Sequence, residues 1–444
     1  MSELPAAPKS SKTLAIYSLL EFPMQMIAIP MAILIPPFYA RDLGLSLAAT
    51  GAILMIARIT DVFTDPVIGI LSDQSRSKYG RRRPFIVLGL PITLVATYMI
   101  FAPKTEVTNS YFAFWTIALW LGWTFINIPY LAWGAELSTN YHERTRIATW
   151  RTASGICGTL FAIGVPLIAW QMIGYGDQLD ESLTIIAYSI IIMISIAATA
   201  LVLSVPEGIP RERKTTPFLE GLRIMWRNQP YKRLLLGFIL NGIAVSLPGP
   251  LYILYVIHVI GSDIPANLIL LLFYSGMLAG VAFWGWLSNR IGKRQSWLTG
   301  MCLLVLIHPW YLTLGLGDIE LMRLLLVTGG FCGGIWVALP ASMKADVIDI
   351  DRLESGRDRT GLFFSTWSFA TKLIPALSVG IAFQVLDLTG FQASGTNAPS
   401  EILTLKILFA GVPTIFWLLA IVTVWHYPIT EEYHRKLLRE LREQ

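Results

Sequence analysis

Arg58, Asp61 and Asp65 stand among Ile59, Val62, Phe63 and Val67 in the stretch ARITDVFTDPVIG. Steps of three and four residues put all three charges on one face of a helix. An ionised group at the middle of a membrane helix costs roughly 2.5 to 3.5 kcal/mol, against about −0.3 to −0.6 for an apolar residue. Three of them facing lipid would cancel most of the insertion gain of the helix, so the stripe is expected to face protein or water. Two carboxylates one turn apart offer oxygen ligands to Na+ and can equally carry a proton. Pro66 has no N–H, which leaves the Val62 carbonyl to assist. The candidate chemistry is therefore cation binding by Asp61 and Asp65, with both as metal ligands if the ion is Na+. The same residues also admit a structural reading, an acid neutralised inside a bundle by Arg58, although one guanidinium does not offset two carboxylates. Arg58 itself reads as the structural member of the three.

The elements that must hold this stripe are membrane helices. The chain has 444 residues, 54% hydrophobic and 14% charged, where soluble domains carry about 25% charged residues. A spanning helix needs about 20 mainly apolar residues. Twelve such runs occur, at 14–40, 46–73, 84–102, 110–136, 148–173, 182–205, 231–260, 265–289, 295–315, 319–345, 361–388 and 401–427. Most of the 34 Lys and Arg fall in the N-terminal tail, the C-terminal tail and the loops after even-numbered runs. That places both termini in the cytoplasm, and the compact loops suit a bacterial inner membrane. The net charge of +5 sits in loops between spans and does not point to nucleic acid. Cys157, Cys302 and Cys332 all lie in apolar runs and read as packing residues.

The longest basic connection, 206–230, divides the chain into a bundle over 1–205 and a second over 231–427, followed by a tail over 428–444. Part of this linker reads as a short surface helix, with a plain solvated linker as the other reading. The halves echo each other: GILSDQSRSKYGRRRPF follows the second run and GWLSNRIGKRQSW follows the eighth. The expected fold is an all-α membrane protein of twelve transmembrane helices in two pseudo-symmetric six-helix bundles, the plan of carriers that rock two bundles about a central site.

ARITDVFTDPVIG followed by RSKYGRRRPFI resembles the glycoside–pentoside–hexuronide:cation symporters of the major facilitator superfamily, and GRRRPFI also resembles the related sucrose carriers. The resemblance implies that Asp61 and Asp65 bind the coupling Na+ or H+. The family's third acid falls at Asn127 in FINIPYLAW, a neutral oxygen ligand that cannot carry a proton. A first-span acid of the family's sugar site falls at Gln25, its fourth-span Trp at Leu131, and its fifth-span Arg at Arg151. Glu21, one turn before Gln25, is placed to supply the displaced carboxylate, or to act as an interfacial acid. Tyr130 and Trp133, with Trp123 and Trp150, offer a stacking wall for a solute or plain packing. Lys372 is flanked by long uncharged stretches in TWSFATKLIPALSVG, and the family has a Lys in the matching span, so it is expected to partner Asp61 or Asp65. Asp73 with Arg81, Arg82 and Arg83 resembles the facilitator gating motif, with anchoring to anionic lipid as the other use of such arginines.

These residues point to a secondary active transporter that moves a small polar solute, a sugar or glycoside, with H+ or Na+. The competing reading is a carrier of an amphiphile, since lysolipid carriers resemble this family too. An enzyme is not expected: the five His are scattered, and no HExxH, paired-cysteine or nucleotide-binding motif occurs. The expected partners are a small-molecule substrate, a coupling cation and membrane lipid, with no cofactor, the chain acting as a monomer.

Overall fold

The computed structural model describes residues 10–104, 106–138, 141–174, 178–207, 228–262, 266–355 and 360–427. The proposed surface helix lies almost wholly outside them, as does the C-terminal tail. The chain divides into two compact units, Met1–Arg213 and Lys214–Gln444.

In the first unit the helices are α1 (Ser11–Ile33), α2 (Leu47–Gln74), α3 (Arg83–Phe101), α4 (Asn109–Glu136), α5 (Tyr141–Ile173) and α6 (Leu179–Ser204). In the second they are α7 (Gln229–Ile260), α8 (Ala266–Ile291), α9 (Lys293–Ile307), α10 (Ile319–Ser355), α11 (Thr360–Leu388) and α12 (Pro399–Trp425). Side-chain hydroxyls and amides start several of them in the usual way. Ser10, Ser46, Thr108 and Asn228 each accept an N–H from the first turn that follows, satisfying a donor that has no partner within the helix.

Among the described residues eleven helices are long and apolar enough to cross a membrane. The exception is α9, where the sequence run extends to 315. Its α-helix stops after 15 residues and tightens into a 3-10 turn, His308–Leu312. Pro309 accounts for the change, because it has no N–H to give to the preceding turn.

The repeat seen in the sequence is present in the packing. Within the first unit α2 lies against α4, α1 against α5, and α3 against α6. Within the second, α8 lies against α10, α7 against α11, and α9 against α12. The two repeated loops also share a backbone device. Gly80 and Gly292 both adopt positive φ, 113° and 87°, a conformation open to glycine at little cost.

Candidate functional site

The charged stripe is built where α2 meets α4. Asp61 is 1% exposed, while Ile56, Phe63, Val67 and Ile70 on the same helix are each more than half exposed. The apolar face of α2 is therefore the outward one, and the charges point into the protein as their insertion cost requires. Arg58 donates from Nη1 to Asp61 Oδ2 at 3.3 Å. Its guanidinium lies 3.1 Å from the ring centroid of Trp120 on α4, which shields and stabilises the cation. Asp65 is half-buried, and its Oδ1 accepts a hydrogen bond from Thr124 Oγ1 at 3.0 Å. Further along, Gly69 passes Ile128. These contacts advance together along both helices, so α2 and α4 run parallel and in register. Asn127 is half-buried one turn beyond Thr124, on the same face of α4.

The charge of this group decides its chemistry. One guanidinium and two carboxylates leave a single negative charge when all are ionised, and Asn127 adds an amide oxygen without charge. One Na+ or one proton balances the set. Sequence reasoning found both acids and the arginine. It did not find Trp120 or Thr124, which carry no charge and look like any other residue of an aromatic-rich span.

A second polar group forms where α1 meets α5. Gln25 Nε2 donates to Glu21 Oε1 at 2.9 Å, and Glu21 Oε2 lies 3.7 Å from Arg151 Nε. Arg151 is one-third exposed and Glu21 less so, so the pair is reachable by water. Tyr17, one turn before Glu21, stacks on Tyr130 of α4 at 4.7 Å and donates to the Tyr130 carbonyl at 3.0 Å. Glu21, Gln25, Arg151 and Tyr130 thus belong to one cluster, and Tyr17 is its overlooked member. Trp133 is not in that cluster. Its indole is fully buried, donates to the Pro206 carbonyl at 2.9 Å and lies under Arg83 at 5.7 Å. It packs the helix ends and offers no face to a solute. Trp123 is buried too, edge-on to Trp120 at 5.5 Å, whereas Trp150 is exposed. In the second unit, Lys372 is half-buried in α11.

The gating-loop residues tie together four helix ends. Arg82 is 2% exposed and is held by Ser72 Oγ at 2.7 Å, Asp73 Oδ1 at 2.5 Å and Glu136 Oε1 at 2.5 Å. Burial opposes its charge, but the hydrogen bonds and attraction from Glu136 and Asp73 outweigh that and keep its pKa above the ordinary guanidinium value. Arg81 lies 3.6 Å from Asp73, and Arg83 donates to the Val205 carbonyl at 3.0 Å. Glu207 closes the arrangement, accepting the backbone N–H of Arg81, Arg82 and Arg83 at 2.6, 3.0 and 3.0 Å. A carboxylate there balances the partial positive charge of the start of α3. A Cβ on Gly80 would sit 2.3 Å from Glu207 Oε1, so the glycine is required for access as well as for φ. These arginines have internal partners and are not simply a lipid anchor.

The second unit repeats part of this. Lys293 donates to both oxygens of Asp346, at 2.8 and 2.7 Å, where Arg82 donates to one oxygen of Glu136. Arg294 donates to the Trp425 carbonyl at the end of α12, as Arg83 does at the end of α6.

With this geometry established, comparison with known proteins is informative. The family described as MFS/sugar transport protein matches residues 16–431. The chain is 28% identical to the sodium-dependent lysophosphatidylcholine symporter 1-B of Danio rerio, over 92% of this chain and 84% of that one. It is 24% identical to the glucuronide carrier protein homolog of Escherichia coli (strain K12), over 92% and 91%. A solved structure of a bacterial homolog of the human lysosomal transporter Spinster, inward-facing and unoccupied, superposes with a TM-score of 0.67 at 12% identity, covering 96% of this chain and 97% of that one. At that identity the likeness concerns the fold.

Proposed function

Starting from the premise that this chain belongs to the MFS/sugar transport protein family, we propose that it is a cation-coupled symporter of a small polar solute, a sugar or glycoside. Asp61 and Asp65 hold the coupling ion, with Asn127 as a neutral third oxygen. The Glu21–Gln25–Arg151 cluster with Tyr130 offers donors and acceptors suited to hydroxyl groups. The single observation that carries the reading is the inward-facing charged stripe of α2, whose net negative charge of one matches one monovalent cation. Lys372 is a charge partner of this cycle in the second unit. The protein acts as a monomer in a bacterial inner membrane with both termini cytoplasmic, and it catalyses no covalent step.

Ion occupancy changes the energy of exposing two carboxylates to either side. Binding a cation changes the net charge of the Arg58–Asp61–Asp65 set, so the ion biases the equilibrium between access states by its differential interaction with them. In proteoliposomes, Asp61→Asn and Asp65→Asn are each expected to abolish gradient-driven accumulation while the purified variants remain monodisperse. Full accumulation in both variants removes the assignment. Imposing a Na+ gradient or a pH gradient alone separates the two candidate ions.

A second reading has a specific observation behind it. The position of the family's stacking Trp is Leu131, and the similarity to the lysophosphatidylcholine symporter extends over nearly the whole chain. An amphiphile is then the cargo, with the polar cluster holding its headgroup. A panel of sugars and lysolipids in the same liposomes decides between them.

A further inference from the structure

At the basic end of the second unit the repeat has lost two of its three acids. In the first unit Asp73, Glu136 and Glu207 neutralise the loop arginines and the start of α3 from within. The second unit has Asn289 at the position of Asp73, and Tyr427-Pro428-Ile429 where the first has Val205-Pro206-Glu207. The Lys293–Asp346 pair remains. Arg294 and Arg233 donate instead to the carbonyls of consecutive residues, Trp425 and His426. Both guanidinium groups are therefore held at the C-terminal end of α12. A helix C-terminus supplies about half a negative charge, too little for two cations, and each guanidinium keeps most of its five donors. Arg290, on the last turn of α8, lies 4.6 Å from the ring centroid of Trp286. Among the described residues none of these three arginines is within ion-pair distance of a carboxylate. Trp286 and Trp425 are 50% and 61% exposed, and Trp at the ends of membrane helices sits at headgroup level.

We propose that this end of the second unit binds the phosphate of an anionic phospholipid. Arg233, Arg294 and Arg290 take the place that Glu207, Asp73 and their arginines fill internally in the first unit, with the missing anion supplied from outside. The guanidinium fork matches phosphate oxygens in a bidentate manner. The exposed indoles beside it select a ligand that joins an anion to an apolar tail, which free phosphate lacks.

The test uses the full chain in nanodiscs of equal phosphatidylcholine and phosphatidylglycerol, with retained lipid counted by native mass spectrometry. The unaltered protein is expected to retain phosphatidylglycerol preferentially. An arginine near an anionic surface is worth about fivefold in affinity, so the double variant Arg233→Gln/Arg294→Gln loses at least that much preference. Arg290→Gln removes no main-chain hydrogen bond and loses a smaller share, which gives a reading even if the double variant does not fold. Arg323→Gln, near the start of α10 and already paired with Glu320, leaves the preference unchanged. Undiminished preference in Arg290→Gln and in a folded double variant overturns the proposal. So does an equal thermal shift from millimolar inorganic phosphate in phosphatidylcholine discs, which makes the occupant a free anion.

Discussion

Single side chains carry the ion-binding proposal, and each has one physical job. Asp61 is buried because Arg58 is beside it, and Arg58 is tolerated because Trp120 covers its face. Asp65 is less enclosed and relies on the Thr124 hydroxyl. A hydrogen bond to a charged group contributes about 1.5 to 3 kcal/mol. Thr124→Val keeps the shape and removes the donor, leaving the Asp65 carboxylate less stabilised in its empty state and less well oriented for an ion. The half-saturating cation concentration for transport is expected to change by about tenfold or more, with the thermal midpoint nearly constant. An unchanged cation dependence would assign the hydroxyl to packing alone. The charged residues at this scale were legible because ionised groups in a span are costly and therefore conspicuous. Trp120 and Thr124 were not, because their roles arise only once α4 is laid alongside α2.

Helix against helix, close approach is what the glycines permit. On α8, a Cβ at Gly280 would come within 2.0 Å of the Phe331 carbonyl of α10, whereas one at Gly285 meets nothing within 4 Å. In the absence of a hydrophobic driving force between helices in lipid, such contacts supply much of the packing energy. Gly280→Ala is expected to lower the thermal midpoint sharply or to prevent folding, since overpacking costs about 1 to 3 kcal/mol and main chain cannot step aside. Gly285→Ala is expected to be neutral or to stabilise slightly through helix propensity. Melting of the two purified variants by intrinsic fluorescence makes the comparison. Hydropathy counted twelve spans; among the described residues eleven helices are long and apolar enough to cross, the exception being α9, whose α-helix ends before the apolar run stops.

For the molecule as a whole, the question is what lets six helices move as one body. In the first unit Arg82 joins the ends of α2, α3 and α4, and Glu207 fastens the end of α6 to the start of α3. Glu136→Gln leaves the buried guanidinium with the exposed Asp73 as its remaining carboxylate. Removing one partner of a buried pair costs about 3 kcal/mol, so the variant is expected to melt several degrees lower and to transport more slowly. A melt equal to that of the unaltered protein would show that Asp73 alone suffices. In the proposed cycle, rigidity within a unit is what would let a small change at the Asp61–Asp65 group become a change of access.

The sequence alone determined the membrane class, the two-fold repeat of six spans, and the three charges of α2, because each follows from the cost of placing particular residue types in hydrocarbon. It also marked Asp73 and the arginines before α3, through spacing and charge. The tertiary structure decided which groups meet. It drew Glu207 from 124 residues away in sequence onto the backbone of Arg83, set Trp133 aside as packing, and gathered Tyr17, Glu21 and Arg151 into one cluster. Hydrogen bonds and ion pairs act over a few ångströms, and only the folded chain brings residues so far apart in sequence within that range.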